Sequence, residues 1–196
     1  MMQVSELKME IRKVGPVRAF CTITSIDKDM RQVLKQPRDY YQKYREQLRA
    51  AGEIREVDVI INSPGGAVAS AMGLTYALQD IPEGRILING FCGSAATLIA
   101  FGTSDRVYIT PDSRVYIHMP IRKVATRKDG KWTLSERIAK ASTTNILLTA
   151  YRGKTHRRRH ELRKWMEEGK RMTAQEAVEL GFCDRIMTRA EFEKGT

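Results

Sequence analysis

Short, nearly continuous apolar runs recur along the chain, separated by turn residues and by longer segments with helical spacing. "EVDVIIN" (56–62) and "GRILING" (84–90) have the pattern of strands buried on both faces of a parallel sheet. "VRAFCTITS" (17–25) is rich in β-branched and aromatic residues and predicts another strand. "DRVYITP" and "SRVYIHM" (113–119) predict two more. Between them, "DYYQKYREQLRAAG" (39–52) has helical spacing and a terminal Gly52, "AVASAMGLTYALQDI" (67–81) is a helix of small residues, and "AATLIAFG" is a short apolar helix. Strands and helices thus alternate, as in βαβ units on a mostly parallel sheet.

The pattern changes after residue 120. "RKVATRKDGKWTL" holds Asp129-Gly130, a two-residue hairpin signal between polar flanks. "SERIAKASTTNILLTAYRG" (135–153) predicts a long amphipathic helix with Ile138, Ile146, Leu147 and Ala150 on its apolar side. A charged helix follows over about 156–168. In "TAQEAVELG" (173–181), Thr173 and Glu176 form a capping box and Gly181 supplies the stop. Residues 1–16 are expected to be a loose N-terminal segment, and 196 residues with no internal repeat suit a single α/β domain.

Composition narrows the class. Hydrophobic residues make up 42% of the chain, enough for a real core, and no run of about 18 apolar residues predicts a membrane span. The N-terminus lacks the apolar stretch of a secretory signal, so a cytoplasmic location is expected. Cys21, Cys92 and Cys183 are scattered and odd in number, as for reduced thiols. Thirty-four basic against 23 acidic residues give a net charge of +11. The densest basic stretch, Lys154–Lys164, is expected to be a solvated helix face, with nucleic acid as the sharper alternative.

Few groups can carry chemistry. Ser94, in "NGFCGSAATLIAFG", stands at a strand-to-helix junction, where a serine is either an N-cap or a nucleophile. The following amide, Ala95 N–H, would be a donor at the helix start. "SPGG" (63–66) is a second such junction; its glycines allow close backbone approach, but it is too short for a phosphate loop. The chain has three histidines. His118 closes a predicted strand, where sheets open onto ligands. His156 and His160 share a helix face, but no third ligand of familiar spacing follows, so no metal is expected, and no cofactor either.

Taken together, "VDVIINSPGGAV", "GFCGSAATLIAFG", "PDSRVYIHMP" and "MTAQEAVELGFCDRIM" resemble, in order and separation, the motifs of the Clp protease proteolytic subunit (ClpP) family, most closely its compact phage and prophage members. The resemblance covers roughly 55–187. It implies an α/β, crotonase-like superhelix of ββα units with a protruding handle helix, the handle region lying at about 120–155. It implies a serine endopeptidase with Ser94 as nucleophile, His118 as general base, and Gly65 or Gly66 with Ala95 as oxyanion donors. The family's acid falls here on Glu167, with Glu168 beside it, where an Asp is usual. Gly93 stands where the family often has Ala, and the handle strand lacks the family's glycines.

The resemblance further implies homo-oligomeric rings, heptameric and stacked in pairs, that take peptides or unfolded protein and work with an ATP-dependent unfoldase. Three alternatives stay open: a catalytically impaired structural or capsid-assembly subunit, a crotonase-like acyl-CoA enzyme, and a nucleic-acid or scaffold binder.

Overall fold

The computed structural model of the chain describes residues 3–29, 34, 36–104, 106–128 and 131–194. In chain order its elements are β1 (Gln3–Lys13), β2 (Arg18–Asp29), α1 (Pro37–Ala50), β3 (Glu56–Ser63), α2 (Val68–Gln79), β4 (Glu83–Gly93), α3 (Ala96–Thr103), β5 (Val107–Ile109), β6 (Arg114–Tyr116), β7 (Ile121–Lys128), β8 (Lys131–Ile138), α4 (Ala141–Thr155), α5 (Arg159–Glu168), β9 (Arg171–Thr173), α6 (Ala174–Glu179), β10 (Arg185–Ile186) and α7 (Arg189–Lys194).

Strands β2, β3, β4, β5 and β10 run parallel in that order, and β6 joins the far end of β4. Parallel connections of this kind need crossovers over the sheet's faces, and both faces are covered. One carries the main core, in which Val59, Ile61, Ile86 and Ile88 meet α1, α2, α3 and α4 through Tyr44, Leu74, Ile99 and Leu148. The other carries Phe20, Ile60, Leu87 and Met187, closed by Phe192 of α7. Val57 to Ile61 are all buried, which is why that stretch shows no alternation.

Three expectations change. The N-terminus is not loose: Gln3–Lys13 pairs antiparallel with β2 along its whole length. The helix expected over 135–153 begins only at Ala141 and runs past Gly153 to Thr155, because Ser135–Ile138 are spent on β8, paired with β7. Ile138, assigned to that helix's apolar side, is 63% exposed on the strand. The strand expected over 113–119 is only three residues long and stops before His118.

The appendage at 120–155 is therefore the β7–β8 hairpin, a separate two-stranded sheet, and not α4. Helix α4 packs home through Leu147, Leu148 and Tyr151. The Tyr151 hydroxyl shares a 2.6 Å hydrogen bond with Thr97 of α3. Lys128 and Lys131 pair across the hairpin end, while the Asp129-Gly130 turn lies outside the described residues. The expected capping box of α6 is present, and Gly181 takes φ +84° after it.

Candidate active site

A bulge in β4 creates the site. Ile61 pairs with Ile88 and Ser63 with Cys92, so Asn62 alone stands opposite Asn89, Gly90 and Phe91. Gly90 absorbs the turn at φ +118°, with Asn62 Oδ1 only 2.7 Å from where a Cβ would stand. Asn62 Oδ1 accepts from Phe91 N–H at 3.1 Å, and Ser113 Oγ accepts from Gly90 N–H at 2.7 Å. Past the bulge β4 leaves β5 and pairs with β6, Gly93 opposite Tyr116. Bulges of this kind bend the strand and re-aim the residues beyond them. The residue re-aimed here is Ser94, directly after the end of β4.

Ser94 has φ +52°, one of two non-glycine residues with positive φ among those described. That conformation costs on the order of 1–3 kcal/mol and persists only where the surroundings enforce it. Here Ser94 N–H donates to Tyr116 O at 2.9 Å, and Ser94 O accepts from Thr97 N–H at 3.1 Å. The N-cap of α3 is Ala95, and its first turn has no side-chain cap. The cap alternative for Ser94 therefore does not hold: its hydroxyl is left for other use on a strained strand-to-helix turn.

The "SPGG" loop lies against this turn. A Cβ on Gly65 would stand 2.6 Å from Gly93 O, 2.7 Å from Ser94 Cβ and 2.9 Å from Ala95 N, so only glycine fits. Hydrogen bonding separates the two candidate glycine donors. Gly65 N–H is spent on Ser63 Oγ at 3.1 Å. Gly66 N–H and Ala95 N–H donate to no acceptor among the described residues. Backbone amides left unspent near a serine hydroxyl are the kind of donor an oxyanion requires.

His118 lies two residues beyond Tyr116, the partner of Ser94, and its ring stacks on that of Tyr116 at 4.9 Å and 12°. Arg171 lies over the same tyrosine ring, 4.7 Å from its centre. Partial burial holds the His118 pKa below its ordinary value; a hydrogen bond to the Met119 backbone and the charge of Glu136 push back in the other direction. The imidazole is thereby biased toward its neutral form. No hydrogen bond joins Ser94 Oγ to the imidazole among the described residues.

The structure does not bring Glu167 to His118. Leu162 and Met166 of α5 face the core, which turns Arg163, Lys164, Glu167 and Glu168 outward. Glu167 pairs with Arg163 at 2.9 Å and Glu168 with Lys164 at 3.8 Å, both four residues apart on that exposed face. The backbone of the same segment does reach the site. Met119 N–H donates to Met166 O and Ile117 N–H to Lys170 O, and Gly169, left-handed at φ +65°, lies beside Tyr116. Among the described residues, Glu136 of β8 is a carboxylate whose charge raises the His118 pKa, without a hydrogen bond to the ring.

Other candidates fall elsewhere. His156 is the left-handed C-cap of α4, and no group of three His, Cys, Asp or Glu among the described residues could hold a metal. Much of the basic stretch is met by acids: Lys154 by Asp184 at 2.7 Å, and Arg157 by Glu161 at 3.5 Å. Burial pushes the Cys21 and Cys183 thiols up to about 12, and Cys92 well above its ordinary value, so none is a nucleophile at neutral pH. No helix of the described residues is long and apolar enough to cross a membrane. Buried polar residues escaped the sequence reading, and the most heavily paired is an acid. Asp58, 3% exposed within the apolar run of β3, accepts hydrogen bonds from Arg18 and Arg85 on the neighbouring strands. Only the alignment of three strands reveals it.

Residues 33–190 match the family model described as Clp protease. The chain is 31% identical over 153 residues, 77% of its length, to the ATP-dependent Clp protease proteolytic subunit of Chlamydomonas reinhardtii. It is 30% identical over 149 residues, 72% of its length, to the ATP-dependent Clp protease proteolytic subunit 2 of Tropheryma whipplei (strain Twist). It spans 29% of the algal relative's length and 78% of the bacterial one's.

Proposed function

This chain belongs to the Clp protease family, and on that premise we propose that it is a serine endopeptidase whose nucleophile is Ser94. The observation that carries the reading is the strained Ser94 turn with Gly65 packed against it, which brings up the unspent amides Ala95 N–H and, on the next peptide, Gly66 N–H. In the proposed reaction His118 takes the proton of Ser94 Oγ as the oxygen attacks a peptide carbonyl. The tetrahedral oxyanion is held by the two amides. His118 then protonates the leaving amine, and the acyl-enzyme is hydrolysed by a water that His118 activates in turn. The Ser94–His118 hydrogen bond forms as substrate closes the site, since such bonds are often long in unliganded enzymes.

Orientation of the imidazole is assigned to the Tyr116 stack, with Glu136 contributing only a charge that raises its pKa. Glu167, the residue that the family's motif places in this role, would have to leave Arg163 to take it up. The working form is proposed to be a homo-oligomeric ring, heptameric and stacked in pairs, in the cytoplasm, supplied with unfolded substrate by an ATP-dependent unfoldase. Exposed Ile121 and Ile138, paired at the base of the β7–β8 hairpin, give a second copy apolar surface to cover.

Labelling by a fluorophosphonate probe tests the chemistry. Wild type should label and Ser94→Ala should not. Equal labelling of the two would remove Ser94 from the mechanism. Mass measurement in solution tests the ring, and a monomer at micromolar concentration would count against it.

A further inference from the structure

The two amides can serve an oxyanion only if the Gly65–Gly66 peptide is turned the right way. A trans peptide points its C=O and its N–H in opposite directions, so whatever holds Gly65 O also aims Gly66 N–H. The described chain has no cis peptide. Gly65 O is held by Ser25, a residue of β2, whose Oγ donates to it at 2.6 Å.

Hydrogen bookkeeping shows that this contact belongs to a closed ring. The single proton of Ser25 Oγ goes to Gly65 O. Ser25 Oγ and Ser63 Oγ are hydrogen-bonded, so Ser63 must be the donor there. Ser63 Oγ in turn accepts from Gly65 N–H at 3.1 Å. Gly65 N–H, Ser63, Ser25 and Gly65 C=O thus form a cycle in which each hydroxyl donates once and accepts once. Both polar groups of Gly65 are consumed within it, and members of such a cycle strengthen one another.

Strand order gives the cycle its direction. β3 lies between β2 and β4, and the "SPGG" loop leaves the end of β3. Ser25 therefore stands on one side of the loop, and Ser94 with Ala95, beyond the end of β4, on the other. In register, Ile23 pairs with Ile61, so two residues further Ser25 and Ser63 fall side by side. With Gly65 O drawn toward β2, Gly66 N–H faces the β4 side, where Ser94 lies. The N-terminal hairpin adds a second hold: Ala67 N–H donates to Ser5 O of β1 at 2.8 Å, and Gly66 packs against that same oxygen.

We propose that Ser25 is a positioning residue for the oxyanion hole: through its hydroxyl cycle with Ser63 it fixes the Gly65–Gly66 peptide so that Gly66 N–H faces Ser94. The N-terminal strands, which carry no reacting group, thereby set the catalytic geometry. This rests on the peptidase reading of Ser94.

The test uses the full chain and the variants Ser25→Ala, Ser25→Thr and Ser25→Cys, with cleavage of a short fluorogenic peptide. In Ser25→Ala, kcat should fall roughly ten- to a hundredfold, short of the roughly 10²–10³-fold that comes from deleting a donor outright. KM should stay within about twofold, since the amide acts on the transition state and not on ground-state binding. Ser25→Thr keeps the hydroxyl and should restore kcat, while Ser25→Cys, similar in size with a weak donor, should resemble Ala. A merely structural role would not be rescued by Thr in kcat alone. Wild-type kcat in Ser25→Ala, or a loss confined to KM, overturns the proposal.

Amide exchange over residues 64–67 reads the same cycle without catalysis: faster in Ser25→Ala, unchanged in Ser25→Thr. Unchanged exchange in Ser25→Ala overturns the cycle even where no peptidase activity is found. Absent Ser94-dependent labelling of wild type defeats the peptidase reading on its own.

Discussion

Ser94 N–H and Tyr116 O are joined by a 2.9 Å hydrogen bond, which ties the Ser94 turn to the strand that leads into His118. The same Tyr116 supplies the ring on which the imidazole stacks. One residue thus holds both groups of the proposed pair, its backbone the serine and its side chain the histidine.

The pH dependence is set by the His118 environment. Burial lowers its pKa, with the Met119 hydrogen bond and the Glu136 charge offsetting part of that shift. The base works when neutral, so activity is present above the lowered pKa and lost as pH falls through it. The acid limb of kcat/KM for peptide cleavage should therefore inflect below the ordinary histidine value of about 6.5. An inflection above that value would mean that a fixed negative charge dominates the site.

Two glutamates compete for the acid's role. Replacing Glu167 by Gln should change kcat by no more than about threefold, because its carboxylate is engaged by Arg163 in water, where such pairs contribute little. Glu136→Gln should shift the acid limb of the pH profile downward by removing the charge that raises the His118 pKa. A loss in Glu167→Gln approaching the roughly 10⁴-fold seen when a triad acid is neutralised would restore Glu167 to the triad.

Gly66, proposed as an oxyanion donor, has no room for a side chain. A Cβ there would drive into the backbone oxygen of Ser5, so Gly66→Ala must rotate or displace the loop. The expected result is a loss of about 10²–10³ in kcat with the fold intact by circular dichroism. Retained kcat would point to some other second donor.

Asp58 should matter to stability and not to chemistry. Its carboxylate is buried between Arg18 and Arg85, and Arg85 also donates to Phe192 O at 3.1 Å, fastening α7. Asp58→Ala leaves two cations without their counter-charge, one of them largely buried. Breaking such a pair costs about 3–5 kcal/mol, and each kcal/mol moves the midpoint roughly 2–4 °C in a domain of this size. A thermal melt unchanged within a degree would show the cluster to be dispensable.

Much of this molecule is legible locally. The runs at 56–62 and 84–90, the capping box at Thr173 and Glu176, and the two glycine-bearing junctions are short-range features, and short-range sterics and hydrogen bonding decide them. Ser94 and His118 could be named as candidates for that reason, and the order of strands and helices from residue 17 through 116 could be read.

What the sequence could not settle depends on pairings between distant segments. Pairing with β2 turned residues 3–13 into a strand, and pairing with β7 drew Ser135–Ile138 out of a helix. The face that α5 buries turned Glu167 away from His118 and toward Arg163. Strand register placed Asp58 between two arginines and Ser25 beside Ser63. The chain by itself determined which residues could react. Only the packed sheet decided which of them meet, because register and helix rotation are set by the burial of side chains far apart in sequence.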